Sequence, residues 1–455
     1  MITLLAFLLT IGVLIVVHEY GHYRVAVACG VRVLRFSVGF GRVLWRHRRD
    51  ASSTEFVFCA LPLGGYVRML DERESPVRQD QLDQAFNRKP LWARSAIVAA
   101  GPLANLLLAI ALYATAHMSG VVEPKAVVSA PAAGSLLERA GLRAGDWVRS
   151  WSHDGQDWQD LASMTDLRWQ LAQAAVRGEA LHLAVSGRDG QGRRALRVEL
   201  ARLDKPEIDA EAMKKIGLAP PYSEPVLGKI LPGGAAAAAG LRPGDRVLDI
   251  DGQAMLDAYS VREQIRGSAE PASTPRQVWR VLRDGRELDV VVKPARVVEG
   301  DRAFGRIEAF VGPPPEVVTV RKGPVDALFA GAQRTWEVSA LTVRMLGRML
   351  IGEASIRNLS GPLTIADYAG QSVQQGMSYY LAFLALVSVS LGVLNLLPLP
   401  MLDGGHLMYY AFEAVTGRPV SDLWLARLQR GGIALLLMMM SVALYNDIAR
   451  LLGLN

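Results

Sequence analysis

The chain has 455 residues, of which 51% are hydrophobic and 21% are charged, and its mean hydropathy is +0.19. It is too apolar for an ordinary soluble protein and too charged to lie entirely in a membrane, so we expect both kinds of region. The net charge of +6 is not accompanied by basic repeats or by aromatic residues interleaved with basic ones. We therefore expect membrane lipid, and no nucleic acid, as a partner.

Three stretches of the chain are apolar over enough residues to cross a hydrocarbon core, which takes about 20 residues of helix, and a fourth, at residues 431–445, is shorter. They predict spanning helices at residues 1–29, 94–118, 376–400 and 428–449. The first stretch has neither a basic segment ahead of it nor a small-residue cleavage site after it. We therefore expect it to be retained rather than removed as a signal peptide.

The first predicted span contains the run His18-Glu19-Tyr20-Gly21-His22. On a helix, residues four apart share a face, so both imidazoles can reach one metal ion with Glu19 beside them. Zinc hydrolases use three protein ligands and a water, whose proton an adjacent carboxylate accepts. The alternative is a set of polar groups that only cap a helix at the membrane surface, but ionisable residues inside a span are costly and usually functional. We predict His18 and His22 as zinc ligands and Glu19 as a catalytic residue.

Arginines follow the first span, with no acidic residue between Arg24 and Arg49. By the positive-inside rule this segment is cytoplasmic, so both termini and residues 119–375 are expected in the periplasm of a bacterium. The protein would then be a multi-pass inner-membrane protein whose active site lies near the cytoplasmic side. The two cysteines, Cys29 and Cys59, are outside the exterior region, so no disulfide framework is expected there.

Residues 30–93 are predicted to form a β region on the cytoplasmic side. Segments 33–44 and 56–69 are rich in β-branched and aromatic residues and are interrupted by glycines, which is typical of hairpin strands. Such a sheet would lie against the membrane near the metal. An extended substrate could pair with the edge of segment 56–69.

The exterior region contains an internal repeat. The segment AGLRAGDWV at residues 140–148 recurs as AGLRPGDRV at residues 239–247. Each copy combines the end of a small-residue helix, a glycine turn with an aspartate, and a strand, and it resembles the PDZ domain in its permuted bacterial form. We predict two such α+β domains, at residues 119–213 and 214–311. Residues 216–218 are either a carboxylate-binding loop or an ordinary strand entry.

Residues 312–375 are predicted to form a periplasmic helical linker. Its portion 335–350 has apolar residues at helical spacing. This helix either lies on the membrane surface or packs on the protein, and both alternatives are open.

A third zinc ligand is expected at the membrane depth of the two histidines. Asp403 follows the third predicted span, in segment 401–427, which we interpret as a cytoplasmic-side loop with a Leu-Asp-Gly-Gly motif. Pro398 and Pro400 end the helix and free its backbone, and the glycines after Asp403 allow close approach. The alternative is a solvated aspartate in a turn. Topology favours the ligand, because both motifs lie at the cytoplasmic ends of their spans.

Two further polar residues lie near this motif. Asn395 is an amide within an apolar span. It either donates to the carbonyl oxyanion or the substrate backbone, which makes it a catalytic candidate, or it joins two helices. His406 either supports the ligands or is a turn residue, and it is not included in the predicted ligand set.

Three motifs taken together resemble the site-2 protease family of intramembrane zinc metalloproteases. They are the His-Glu-x-x-His run, the Gly-Pro-Leu-Ala-Asn run at residues 101–105, and the segment from Asn395 to Asp403 with its two glycines. With two PDZ-like domains between the second and third spans, the chain is similar to the bacterial regulator-of-sigma-E protease group. The resemblance implies a polytopic α-helical membrane protein with about four transmembrane helices, a membrane-associated β-hairpin region and two inserted periplasmic PDZ-like domains.

The resemblance also implies an activity. Members of the family perform regulated intramembrane proteolysis of single-span membrane proteins, here the second cut of an anti-sigma factor that activates an envelope-stress sigma factor, and also removal of remnant signal peptides. The family pattern assigns His18, His22 and Asp403 to Zn²⁺, Glu19 to water activation and Asn395 to substrate or transition-state binding. The PDZ-like pair either binds the new C-terminus left by a first cut or excludes uncut substrates by size.

Two other classes of function are open to such a chain. A membrane scaffold that displays two PDZ-like domains would not need Glu19. A transporter would be expected to have more spans, related by an inverted repeat that the spanning segments do not show.

Overall fold

The computed structural model describes residues 2–50, 53–200, 215–269, 276–299, 302–351 and 361–451. Contacts divide the chain into two compact units, Met1–Val121 with Arg321–Asn455, and Val122–Val320. The predicted domain boundary at residues 213 and 214, and the part of the predicted linker at residues 352–360, lie outside the described residues.

The described part of the first unit contains four helices that are long and apolar enough to cross a membrane. These first to fourth spanning helices are Ile2–Ala28, Leu91–Ser119, Met377–Leu396 and Leu423–Ile448, the last within a longer helix, Asp422–Leu451. Further helices of the unit are Pro324–Leu350, Pro362–Gln375 and Asp403–Thr416, with short 3-10 helices at Gln79–Gln84 and Phe86–Arg88. The four helices agree with the membrane architecture that the sequence predicts.

The second spanning helix is the one against which its neighbours pack, and glycines make the contacts close. Gly21 of the first span, Gly392 of the third and Gly331 of helix Pro324–Leu350 each face its backbone. A Cβ added at any of the three would meet a carbonyl oxygen of the second helix at 3.0 Å or less, those of Ala100, Pro102 and Ile110. Inside a bilayer the hydrophobic effect does not drive helices together, so they associate by close packing. Small residues of this kind allow that close approach.

Helix Pro324–Leu350 packs on the protein along one face. Its Val338 joins a buried cluster with Ala109 of the second span and Ala385 of the third. The opposite face leaves Phe329 and Trp336 exposed. Packing on the protein is therefore observed for one face, and the exposed aromatic residues leave membrane contact open for the other.

A buried carboxylate fixes the start of helix Pro362–Gln375. Asp447 of the fourth spanning helix accepts hydrogen bonds from the backbone N–H groups of Gly361 at 3.0 Å and Leu363 at 2.9 Å. An anion placed at a helix N-terminus satisfies the free N–H groups and the helix dipole. This contact ties the fourth span to the helix that precedes the third.

Two long antiparallel strands, Val33–His47 and Glu55–Met69, follow the first spanning helix. Gly39 and Gly41 have φ of +90° and +85°, and Gly64 has φ of +153°. Residues with a Cβ rarely adopt these angles, so glycine is what allows each strand to turn back. The hairpin therefore folds into four short segments.

The order of these segments decides which part of the hairpin is free to bind. Segment 33–38 lies between segments 65–69 and 55–59, and segment 55–59 also pairs with 43–47. Residues 65–69, the edge segment, pair on one side only among the described strands. The predicted hairpin is present. Its free edge next to the first span is shorter than predicted, because it comprises residues 65–69 and not the whole of segment 56–69.

The predicted loop at residues 401–427 is wrong in one respect, since it contains helix Asp403–Thr416. The two glycines after Asp403, predicted to allow close approach, lie inside the first turn of this helix. Leu397 is extended, as expected for a residue before Pro398. The chain therefore breaks and restarts as a new helix, which ends at Gly417 with φ of +69°.

The second unit contains two lobes with the same element order. In the first lobe, helix Met164–Arg177 accompanies a sheet ordered Gln159–Asp160, Trp147–Ser152, Ala180–Ser186 and Arg194–Glu199. In the second lobe, helix Ala258–Gly267 accompanies a sheet ordered Gln253–Ala254, Arg246–Ile250, Gln277–Arg283 and Arg286–Val292. The unit also contains helices Leu136–Arg139 and Ala235–Ala238 and strands Leu227–Ile230, Ala295–Glu299, Arg302–Arg306, Ala309–Val311 and Val317–Val320, and strand Val121–Pro124 begins at its boundary. The internal repeat thus corresponds to a repeated sheet order.

The aspartate of the repeated sequence has the same role in both lobes. Asp146 accepts from the Arg143 backbone N–H at 2.7 Å and pairs with Arg194. Asp245 accepts from the Arg242 backbone N–H at 2.8 Å and pairs with Arg283 at 2.7 Å. Burial would raise the pKa of Asp245, but the hydrogen bonds from Arg283 and Arg242 outweigh burial and lower it. The aspartate therefore closes the turn, which explains its place in the repeat.

The candidate carboxylate-binding loop at residues 216–218 lies in the first lobe. Ile216 is buried in the core of that lobe. Gly217 has φ of +86° and packs so closely on Ser135 that a Cβ would collide with it. These contacts explain why the loop needs a glycine, and its role in binding stays a prediction.

Candidate metal centre

Three side chains predicted as zinc ligands converge in the first unit. His18 and His22 lie one turn apart on the first spanning helix, with their Nε2 atoms 3.2 Å apart. Asp403 Oδ2 is 3.1 Å from Nε2 of His18 and 3.5 Å from Nε2 of His22. One ligand atom from each of the three residues lies within 4.8 Å of the other two. The structure therefore brings together residues separated by most of the chain.

The second spanning helix fixes His22. Nδ1 of His22 donates to the Ile97 carbonyl oxygen at 2.8 Å, because a carbonyl can only accept. The proton of the neutral ring is then on Nδ1, which leaves the lone pair of Nε2 free for a metal. Gly101 makes room for the ring, since a Cβ there would collide with the imidazole.

The same helix contacts the other face of the pair. The side-chain amide nitrogen of Asn105 lies 3.2 Å from Nδ1 of His18. Asn105 is fully buried, and its Oδ1 has no hydrogen-bond partner among the described residues. One helix thus supports both imidazoles through the nitrogens that face away from the metal position.

Asp403 reaches the histidines because the chain restarts tightly behind it. A Cβ at Gly404 would collide with the backbone of Leu396 and Leu397, and one at Gly405 with the backbone of Leu399. Glycine is the residue that permits this close fold of the helix start over the end of the third span.

The carboxyl group of Asp403 is anionic at neutral pH. Without a metal ion, burial would raise its pKa, but hydrogen bonds from Nε2 of the protonated forms of His18 and His22 outweigh burial and lower the pKa to about 2. The anion is the form in which a carboxylate binds a metal ion.

The far end of helix Asp403–Thr416 is anchored as well. Arg94 of the second spanning helix forms a two-pronged pair with Glu413, with the shorter bond at 2.6 Å. The Arg94 guanidinium also lies over the Tyr410 ring, 5.0 Å from its centroid. A planar guanidinium held by two bonds and a ring fixes direction as well as distance. The helix that carries Asp403 is therefore held at both ends.

Glu19 lies beside the ligands and is free to act. It lines a cavity of about 610 Å³ together with His18, His22 and Asp403. Its side chain has no hydrogen bond or ion pair with the described part of the chain. Gly65 of the edge segment lies against it, since a Cβ there would come within 2.9 Å of Glu19 Cγ. The carboxylate can therefore receive a proton inside the cavity.

The edge segment forms part of the wall of the same cavity. Gly65, Tyr66, Val67 and Met69 all line it. An unpaired strand edge offers backbone donors and acceptors to an extended chain. A bound peptide paired there would run past Glu19.

The donor set fits zinc. Two imidazole nitrogens and one carboxylate oxygen are the ligands of many catalytic zinc sites, in which a fourth position stays open for water. Both histidines have hydrogen-bonding groups behind them, as zinc-binding histidines do. Among the described residues, neither Cys29 nor Cys59 belongs to the group of converging ligands or lines the cavity, so the site offers no sulfur ligand.

The remaining predicted residues are placed differently. Asn395 is half-buried on the third spanning helix, is not among the residues that line the cavity, and makes no side-chain hydrogen bond in the described structure. Its proposed contact with substrate stays a prediction. His406 lies one turn after Asp403 and lines the cavity, and burial lowers its pKa. It is therefore near the ligands without being one of the three that converge.

Sequence reasoning missed the contact of Asn105 with His18. Its run was noticed only as part of a resemblance. The rule applied to Asn395, that an amide within an apolar span is costly without a partner, applies equally to Asn105 and would have identified it.

Comparison with known proteins supports the chemistry of the site. The family model described as peptidase family M50 matches residues 6–439. A protein of Ralstonia nicotianae that bears the provisional name zinc metalloprotease is 42% identical over 463 residues, covering 99% of each chain. The regulator of sigma-E protease of Escherichia coli is 38% identical over 458 residues, covering 98% of each chain. The regulator of sigma E protease of Salmonella typhi is 37% identical over 459 residues, covering 98% of each chain.

Proposed function

Because the chain belongs to peptidase family M50 and is a zinc metalloprotease of the site-2 type, we propose that it cuts single-span membrane proteins within or beside the bilayer. The observation that carries the proposal is the convergence of His18, His22 and Asp403 on helices of a membrane-spanning bundle. Ionisable side chains are costly at such a place unless they have a function there. A soluble peptide would not need a site in this position.

We assign the zinc ligands as His18, His22 and Asp403. When bound, zinc supplies Lewis-acid chemistry that makes a water nucleophilic near neutral pH and polarises the scissile carbonyl. Glu19 accepts the proton of the attacking water and passes it to the leaving amine nitrogen. The Ile97 carbonyl orients the His22 imidazole.

The substrate must unwind before it can be cut. A transmembrane helix satisfies its backbone groups internally, and unpaired groups in the bilayer cost several kcal/mol each, by order of magnitude. The edge segment at residues 65–69 can replace the lost hydrogen bonds by pairing with the extended substrate. Its position against Glu19 would place the scissile bond beside the water.

Proline substitutions in the edge segment test this pairing. Alternate N–H groups of an edge strand point to its free side, so one of Tyr66→Pro and Val67→Pro removes a donor that the substrate needs. Loss of one such bond is expected to slow cleavage about tenfold, at about 1.4 kcal/mol, without loss of zinc.

The variants Tyr66→Ala and Val67→Ala are matched controls, because they remove the same side chains and keep the N–H groups. The comparison uses the rate at which each variant cleaves a synthetic single-span substrate, with zinc content measured in parallel. If both proline variants cleave as fast as their alanine partners, the substrate does not pair with this edge.

The names of the relatives support a proposal for the biological substrate. Two of them are named as regulators of sigma-E, and we propose for this chain the second cut of an anti-sigma factor in a bacterial inner membrane, with remnant signal peptides as further substrates. The arginines from Arg24 to Arg49, which run from near the end of the first span through the first hairpin strand with no acidic residue among them, support a cytoplasmic position for that side, and hence periplasmic termini.

The two lobes at residues 122–320 are proposed as periplasmic PDZ-like domains. They either bind a C-terminus produced by a first cut or exclude untrimmed substrates by size. Deletion of residues 122–320 separates the roles, since a size filter predicts that the shortened protein cleaves untrimmed substrate. Continued resistance of that substrate would rule the filter out.

The position of the cut tests the proposed function directly. Purified full-length protein in lipid vesicles is expected to cut a single-span substrate, trimmed on its exterior side, within the span or at its cytoplasmic end. Mass spectrometry of the fragments gives the position. Cuts confined to the soluble part of the substrate would contradict the proposal.

A further inference from the structure

We propose that Asn105 is a positioning residue that holds His18 in the tautomer required for metal binding, with its amide oxygen as the acceptor. The proposal deepens the proposed function and rests on His18 being a zinc ligand. It gives a role to the asparagine of the Gly-Pro-Leu-Ala-Asn run on the second spanning helix.

The His18 ring directs one of its two nitrogens toward the other predicted ligands. Its Nε2 faces the Nε2 of His22 at 3.2 Å and Asp403 Oδ2 at 3.1 Å, so Nε2 is the ligand atom. A neutral imidazole that binds a metal through Nε2 carries its proton on Nδ1. That proton needs an acceptor behind the ring.

Asn105 is the group behind the ring. Its side-chain amide lies 3.2 Å from Nδ1, and the whole residue is excluded from solvent. The amide nitrogen faces Nδ1 while Oδ1 has no partner among the described residues. A half-turn of the planar amide exchanges the two atoms in the same volume, so that Oδ1 accepts from the Nδ1 proton. His22 has the equivalent acceptor in the Ile97 carbonyl.

A purely structural role does not account for this amide. A buried polar atom without a partner costs about 1–3 kcal/mol, whereas a leucine of similar volume would carry no such cost. Joining the first and second helices would need only some polar partner on the first helix, but the partner of this amide is Nδ1 of a predicted metal ligand. The contact with the third helix at this depth is made by the backbone, since Ser388 donates to the Asn105 carbonyl oxygen at 2.7 Å.

The test measures zinc affinity in the purified full-length protein by competition with a chromophoric zinc chelator. Removal of a supporting hydrogen bond from a metal-binding histidine typically weakens affinity about 10–100-fold, so Asn105→Leu is expected to lose this factor. Asn105→Asp can only accept, and it is expected to keep the wild-type affinity or exceed it. Thr10→Val is the matched control, because it removes a buried interhelical hydrogen bond, to Tyr380 at 3.1 Å, from the helix that carries His18.

The outcomes separate this inference from the proposed function. Wild-type affinity in Asn105→Leu would overturn the inference, and so would a loss of about tenfold or more in Asn105→Asp relative to the wild type, since Asn105 would then act as a donor or a packing residue. The aspartate variant gives this result even if the leucine variant does not fold. Failure of the wild type to bind zinc, or of His18→Ala to weaken binding, would instead remove the proposed ligand set.

Discussion

A Glu19→Gln variant is expected to cleave its substrate about 10²–10⁴ times more slowly than the wild type while it binds zinc equally well. Glutamine has the shape of glutamate but cannot accept the proton of the attacking water. Glu19 is free of hydrogen bonds to the described chain and lines the cavity with the three ligands, so its loss does not disturb the metal. Cleavage of a single-span substrate and zinc content are the two measurements.

Tyr20→Phe is the matched control for this variant. Tyr20 is the next residue on the same helix, is 49% exposed, and does not line the cavity. The Tyr20→Phe variant is expected to cleave its substrate at the wild-type rate. If the protein were a membrane scaffold without catalytic activity, its function would not require Glu19. Cleavage at the wild-type rate by Glu19→Gln would contradict the proposed mechanism.

An Asp403→Ala variant is expected to lose both zinc and cleavage. The carboxylate is the only acidic ligand that the described structure brings to the two histidines. Two neutral imidazoles alone hold zinc poorly, so the loss in affinity should exceed the about 100-fold that removal of a supporting hydrogen bond costs. Excess zinc is expected to restore little activity, because the geometry of the site also depends on Asp403.

The control for the aspartate is Asp80→Ala. Asp80 pairs with Arg78 at 3.0 Å on an exposed 3-10 helix of the same unit, and such pairs contribute about 0–1 kcal/mol. Zinc content and cleavage should match the wild type. If Asp403→Ala kept its zinc, the third ligand would have to be another residue, and His406 in the same cavity would be the first to examine.

The ligand set was predictable from sequence for two reasons. Its residues form short local motifs, and ionisable side chains within an apolar span are energetically costly unless they have a function. Two histidines four apart on an apolar helix imply an ion, and an ion implies a third ligand at the same depth. The prolines before Asp403 indicated that the chain breaks there. What the sequence did not indicate was that the chain restarts as a helix at Asp403, because paired glycines are more typical of turns.

The pairing order of the hairpin segments could not be predicted from local sequence. Its two strands follow from β-branched and aromatic residues, but the order of the four segments depends on how the glycine bends let the strands fold back. Pairing of this kind is decided by tertiary contacts that no single strand contains. The sequence therefore predicted a long edge, and the structure reduces it to residues 65–69.

The energetic cost of an amide within a spanning helix did not by itself distinguish Asn105 from Asn395. Both are amides within spanning helices, and the sequence favoured Asn395 because it is close to Asp403 along the chain. The structure places Asn105, which is remote in sequence, in contact with His18. Distance along the chain is a poor guide to a site assembled from three helices. A role of Asn395 toward substrate remains a prediction.

X-ray absorption at the zinc edge of the purified full-length protein tests the central claim most directly. The account predicts one zinc per chain, with two imidazole nitrogens at about 2.0–2.1 Å, oxygen ligands at about 2.0–2.2 Å and no sulfur. His18→Ala and His22→Ala should each remove imidazole scattering or the metal itself. A sulfur shell at about 2.3 Å, or a spectrum unchanged in both histidine variants, would contradict the account.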